Sequence, residues 1–396
     1  MKLAGASRGL ASLEIDYCSF LAYNHGRGGK LLMEARRRYT SWLNPERRWV
    51  LAFAAVVMLL TTIPYLFGYV SQGEDWRFTG FVVGVEDGNA FIGKMLSGTV
   101  GEWLFRTPYT AFPQRGVLIF PTYLLLGKLA SANGTHHQLV ALFHVYRVCA
   151  GILAILATYE FVSFFVSSIR YRKIGLALVT IGGGLGWLLV LLGQQEWLGS
   201  LPLEFHSPES FGFLSLYAYP HYALDRALLL WGLVSYLKAT LRLGEISSLI
   251  RTGLGVGVLW LLTGLAQPFA GMILVVVIGI YLGALAVWQA WRTVRGQRSD
   301  WPRLWKMIQL AFWAGLLPAP FLLYNVISQR LDPFLKLWME QSAFLSPHPV
   351  HYLSAYGLVL PFAVLGAIRL WKAKDWAAKL PLVWALCLPV LAYAPV

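Results

Sequence analysis

The chain of 396 residues is 57% hydrophobic and only 13% charged, with a formal net charge of +14. Several apolar runs approach the ~20 residues needed to cross a ~30 Å hydrocarbon core, which excludes a soluble enzyme and predicts an all-α, polytopic membrane bundle. The basic excess is confined to alternate segments between the apolar runs, so it marks membrane orientation rather than nucleic-acid binding.

Residues 1–48 are Gly-rich and basic, with no apolar core long enough for a signal peptide, and read as a cytoplasmic tail. Residues 1–32 have no evident structural role. Met33 precedes Arg36, Arg37 and Arg38, which would anchor the first span, so a start at Met33 is one alternative. Residues 49–396 form one transmembrane domain with candidate spans at 49–70, 138–168, 174–193, 222–241, 252–266, 269–291, 305–327, 354–371 and 380–396. The chain stops inside an apolar run, as a truncated form of a longer protein would.

With the N-terminus inside, the inner segments carry 24 Lys/Arg against 7 Asp/Glu and the outer segments 8 against 11. That asymmetry predicts a cytoplasmic N-terminus, and a bacterial plasma membrane is the expected location. Residues 116–131, interrupted by Pro121 and Lys128, are expected as a helix at the outer surface, since a crossing there would invert every later basic loop. Cys18, Cys149 and Cys387 match no metal or disulfide spacing and read as packing residues.

The outer loop 71–137 contains the acidic pair Glu86-Asp87 in the setting Gly84-Val85-Glu86-Asp87-Gly88-Asn89. Two adjacent carboxylates at a membrane surface are costly unless their charge serves as a base, a metal ligand or a transition-state stabiliser. The plainer alternatives are an exposed solvated loop, or a helix start that Asp87 or Asn89 caps. Aromatics around the pair, Trp76 and Phe78 before it and Trp103 and Phe105 after it, would hold the loop at headgroup level.

Within the spans, Arg147 and Glu160 are thirteen positions apart, about 20 Å along a helix, so they cannot pair directly. Gly182-Gly183-Gly184-Leu185-Gly186 lacks the strand and Lys of a phosphate loop and reads as close helix packing, as do Gly279 and Gly283. Gln267-Pro268 reads as a turn between two crossings. Asn133-Gly134-Thr135 has the form of a glycosylation acceptor, a pattern too short to carry weight.

Loop 194–221 adds Glu196, Glu204, His206, Glu209 and His221, then enters a span as Tyr219-Pro220-His221-Tyr222-Ala223-Leu224-Asp225-Arg226. Asp225 and His221 at that mouth are candidates for the second half of a site, the alternative being an ordinary ion pair of Asp225 with Arg226. Loop 328–352 supplies Arg330, Lys336, His348 and His351, charges suited to an anionic phosphate.

A first span, a long outer loop with an early acidic pair, surface helices and the stretch Tyr219 to Leu229 together resemble the GT-C glycosyltransferases, such as protein O-mannosyltransferases and the aminoarabinose transferases of lipid A. The likeness covers residues 49–327. It implies an outward-facing site, a polyprenyl-phosphate-linked sugar as donor, and a lipid, glycan or protein acceptor. By that resemblance Asp87 is the catalytic base, Glu86 its substitute and Asp225 the second acid. The departing phosphate needs positive charge or a divalent metal; Arg226, Lys336, His348 and His351, with His221, are the candidates by sidedness. Family members usually continue beyond this length, which leaves the acceptor open. The competing readings are a non-catalytic subunit of a larger membrane complex, and a transporter, which would need polar groups at mid-membrane on several helices.

Overall fold

The computed structural model describes residues 44–131, 135–194, 196–207, 210–341, 346–357, 359–373 and 375–393. The N-terminal tail up to residue 43, Cys18, and Asn133-Gly134 of the glycosylation pattern lie outside them, as does Glu209. Among the described residues the regular structure is helical throughout: α1 (Pro45–Val70), α2 (Val85–Thr99), α3 (Pro121–Gly127), α4 (Thr135–Phe165), α5 (Ile169–Ile181), α6 (Gly186–Leu191), α7 (Leu203–His206), α8 (Gly212–Ala218), α9 (Pro220–Thr240), α10 (Ile246–Ala266), α11 (Pro268–Val294), α12 (Trp301–Leu316), α13 (Ala319–Leu331), α14 (Pro333–Gln341), α15 (Val350–Tyr356), α16 (Val359–Lys372) and α17 (Lys379–Ala392). The only extended pairings among them are two isolated bridges, Phe105 with Val117 and Trp197 with Ser200.

Four helices, α1, α4, α10 and α11, are long and apolar enough to cross a membrane, and six spans result if the bent pairs α12–α13 and α15–α16 each count as one. The chain is a multi-pass helical membrane bundle. The Gln267-Pro268 turn falls where its chemistry places it: Gln267 is extended, and Pro268 opens α11 where its missing N–H costs nothing. Residues 174–193, expected as one crossing, instead break at Gly182–Leu185 into α5 and α6. Three consecutive glycines weaken helix propagation there. The 305–327 segment bends by 60° between Leu316 and Ala319, where Pro318 intervenes.

Residues Ala54–Val396 form one unit that contains everything described below. Its centre is α9, packed against α4 on one side and α10 on the other, with α12 behind α10. Close approach depends on Gly253 and Gly257: a Cβ at either would lie 2.6 Å from Trp313 Cβ or from the Ala314 carbonyl oxygen. Gly279 and Gly283, expected to do the same work, have no atom within 4 Å of where a Cβ would be, so they are not at a helix interface. Gly184 and Gly186 do admit neighbours, the carboxylate of Glu204 and, at Gly184, the backbone of Ala355.

The two charges on α4 have separate partners. Arg147 is fully buried and donates to Thr61 and Thr62 Oγ1 at 2.8 Å each, to His144 Nδ1 at 3.3 Å and to the Leu216 carbonyl at 3.5 Å, with its guanidinium 4.7 Å from the Tyr65 ring. His144 donates from Nε2 to the Gly80 carbonyl (2.9 Å), which leaves Nδ1 free to accept. Glu160 accepts from Trp231 Nε1 at 3.0 Å and from Lys238 Nζ at 2.5 Å.

Candidate active site

The acidic pair lies at the start of α2. Gly84 is the N-cap in the left-handed region (φ 60°) with no side-chain cap, so the helix begins ahead of the residues expected to cap it. Asp87 therefore stands in the first turn, where the helix dipole favours a negative charge by about 0.3–1 kcal/mol. Glu86 and Asp87 are both exposed. Tyr219, the residue that opens α9, donates from its hydroxyl to Asp87 Oδ2 at 3.4 Å. A Cβ on Gly84 would sit 2.8 Å from that hydroxyl, so glycine is required there by conformation and by the contact. The first-loop acid and the Tyr219 motif thus meet in one place.

Behind them is an aromatic core. Tyr123 of α3 is fully buried, stacks on Phe91 at 4.8 Å and shares a 2.8 Å hydrogen bond with His221 Nδ1. Burial pushes the Tyr123 phenol well above its ordinary range, so it stays protonated. Tyr146 of α4 meets Tyr123 edge-on at 5.9 Å, and Asp225, which is buried, lies within electrostatic reach of Tyr146. His221 and Asp225 therefore flank the same core that Asp87 overlooks. Asp87 is at its open edge and Asp225 is inside it.

The α2–α3 contact that builds this core rests on two glycines. A Cβ on Gly98 would be 2.1 Å from the Leu124 carbonyl oxygen, and one on Gly127 would be 1.8 Å from that of Met95. The surface helix expected over 116–131 is confined to Pro121–Gly127 and packs its Tyr123, Leu124 and Gly127 inward.

One member carries no strong sequence signal. Lys94 is two turns beyond Asp87 on α2 and only 7% exposed. Its Nζ is 4.5 Å from the Phe120 ring centroid, 4.7 Å from Phe91 and 5.9 Å from Phe105. Each ring face contributes on the order of 1–2 kcal/mol, against a desolvation cost of several kcal/mol for a buried ammonium. Burial accordingly pushes Lys94 down to about 8, with the Asp87 charge acting in the opposite direction. The i, i+7 spacing from Asp87, which puts both on one helix face, was the available clue.

The remaining candidates are elsewhere. Arg226 lines a small crevice with Thr158, Thr180 and Gly212, and its charge acts on Tyr356 as well as on Asp225. His351 is fully buried, donates from Nε2 to the Trp197 carbonyl at 2.7 Å and meets the Trp197 ring edge-on. His348 is exposed and accepts from the Val350 N–H at 3.3 Å. Lys336 is exposed on α14, whose Phe334, Leu335 and Trp338 pack on Phe105 and Phe120. Of the five proposed binding residues, only His221 joins Asp87 at the aromatic core. Among the described residues no three His, Cys, Asp or Glu side chains gather as a metal site.

Fold and site together define a helical membrane protein with an exposed acid over a tyrosine-rich core at the mouth of α9. No family model, curated protein or solved structure matches the chain.

Proposed function

We propose that the chain is a membrane glycosyltransferase of GT-C type, with a cytoplasmic N-terminus and its site on the outer face of a bacterial plasma membrane. The observation that carries this reading is the hydrogen bond from Tyr219 to Asp87, because it brings the two short motifs of that resemblance into contact. Asp87 is exposed and oriented, as a base that must reach an acceptor needs to be. The acceptor hydroxyl would give its proton to the Asp87 carboxylate as its oxygen attacks the anomeric carbon, and the bond to the polyprenyl phosphate would break with the electrons leaving on that phosphate. Such proton transfer contributes about 10²–10⁴-fold in rate. Asp225, buried against the tyrosine core, serves to position α9 and His221 rather than to touch the acceptor. The acceptor is a lipid, glycan or protein hydroxyl or amine.

The transporter reading is disfavoured because Arg147 and Glu160 are each engaged by neighbouring helices, through Thr61 and Thr62 and through Trp231 and Lys238. The test is Asp87→Asn in purified protein with a polyprenyl-phosphate sugar. Transfer is expected to fall at least 100-fold with an unchanged elution profile on size exclusion. Unaltered turnover removes Asp87 from the chemistry, and absence of transfer by the wild-type chain with any such donor favours the non-catalytic subunit.

A further inference from the structure

The C-terminal end of α11 carries a cluster unrelated to Asp87. Trp376, in the connection between α16 and α17, meets Trp288 of α11 edge-on at 6.1 Å between ring centroids, and its carbonyl accepts from the buried Tyr281 hydroxyl at 3.1 Å. Each ring of that pair carries one guanidinium: Arg303 of α12 lies 4.9 Å from Trp376, and Arg292 of α11 lies 5.2 Å from Trp288. Trp376 is itself buried, so the rings form an anchored platform that restrains both arginines. A guanidinium resting on a ring keeps its in-plane N–H donors for other partners. Among the described residues neither arginine pairs with a carboxylate, and neither side chain donates a hydrogen bond. The nearby carboxylates are used locally, Asp300 by the Arg303 backbone N–H at 3.2 Å and Asp375 by the Ala377 N–H at 3.1 Å. Gln289, fully buried one turn before Arg292, accepts from the Asp300 N–H at 2.9 Å, and its Nε2 has no partner. Three side chains at one junction of α11 and α12 thus have unfilled donors.

We propose that this junction binds the headgroup of an anionic phospholipid in the leaflet at the C-terminal end of α11. The phosphodiester of such a lipid has no cation attached to it, and its free oxygens can accept from both guanidiniums in the forked geometry that arginine favours. The neighbours of the pair point to a lipid rather than a soluble anion. Val287, Trp291 and Val294 follow one another on the helix face beside Trp288 and Arg292, and they are 71%, 46% and 87% exposed. That strip of a membrane-crossing helix suits an acyl chain, with the tryptophan at headgroup level. Ordinary interfacial arginines attract a charged leaflet in general, whereas two ring-mounted guanidiniums without counter-ions specify one position. The site uses neither Asp87 nor its surroundings, so it holds whichever activity the chain has.

The full chain in detergent is titrated with palmitoyl-oleoyl phosphatidylglycerol and with the matching phosphatidylcholine, and bound lipids are counted by native mass spectrometry. Wild type is expected to retain one phosphatidylglycerol at least tenfold more tightly than phosphatidylcholine. Arg292→Gln combined with Arg303→Gln should weaken that lipid at least tenfold. Arg251→Gln combined with Arg298→Gln removes the same charge from two exposed arginines that have no aromatic partner among the described residues, and should leave binding unchanged. Equal loss in both double variants, or equal retention of the two lipids by wild type, overturns the site. If the Arg292/Arg303 variant does not fold, modification of these arginines by phenylglyoxal in the wild-type chain, read by peptide mass spectrometry, decides. Phosphatidylglycerol should slow it and phosphatidylcholine should not. No protection overturns the site, and protection by glycerol 3-phosphate equal to that by the lipid overturns the lipid as its occupant.

Discussion

Asp87 owes its position to a residue with no side chain. Gly84 turns the backbone into the left-handed region and leaves room for the Tyr219 hydroxyl in the same step, so Gly84→Ala is expected to displace Tyr219 and free the carboxylate. The variant should fold, with transfer falling by more than tenfold; wild-type activity would show that the Tyr219 contact does not orient the base. Lys94 gives a pH signature. Its folded value of about 8 is below its ordinary 10.5, so the buried charge costs its full amount below pH 8. The folded chain releases the proton first as pH rises from 8 to 10.5, and stability rises over that window by at most about 3 kcal/mol. Thermal midpoints in detergent should show this rise for wild type and a flat profile for Lys94→Met, which should also be the more stable protein at pH 7. Asp87 was legible because paired acids in a Gly-rich loop are conspicuous in an apolar chain. Lys94 was not, because Phe91, Phe105 and Phe120 are spread over thirty positions and nothing in their order shows that they converge.

Among the helices, the α2–α3 contact has the largest consequence for the site. Gly98 and Gly127 let their backbones touch, and that approach sets Tyr123 on His221 and Phe120 over Lys94. Gly127→Val should force the pair apart at a cost of about 1–3 kcal/mol or more, with transfer lost. Retention of transfer would mean that the site does not depend on this crossing. Hydropathy revealed most of the long helices but not which glycine faces meet a partner. Spacing of four put Gly279 and Gly283 on one face just as it did Gly253 and Gly257, and only the second pair meets another helix. Likewise sidedness grouped His348, His351 and Lys336, yet a position along the chain says nothing about depth. His351 is consumed by the Trp197 carbonyl, and His348 remains at the surface.

At the scale of the whole chain, the proposed orientation places Asp87 opposite the basic loops. In a cysteine-free background, Thr110→Cys is expected to react with impermeant maleimide from outside intact cells and Arg298→Cys only after permeabilisation; both side chains are exposed. The reverse pattern would turn Asp87 towards the cytoplasm and end the polyprenyl-donor reading.

Arg147 adds a constraint on how such a chain is made. An arginine near the middle of a helix costs about 2.5–3.5 kcal/mol on leaving the translocon. The two hydroxyls that offset it belong to α1, synthesised some eighty residues earlier. Lateral release of α4 is therefore easiest while α1 is still beside the exit, so the two helices enter lipid as a couple. Replacing Thr61 and Thr62 by valine should lower the fraction of α4 integrated in a reporter assay that leaves α4 itself untouched, making biogenesis, before any catalysis, the first process to register their loss.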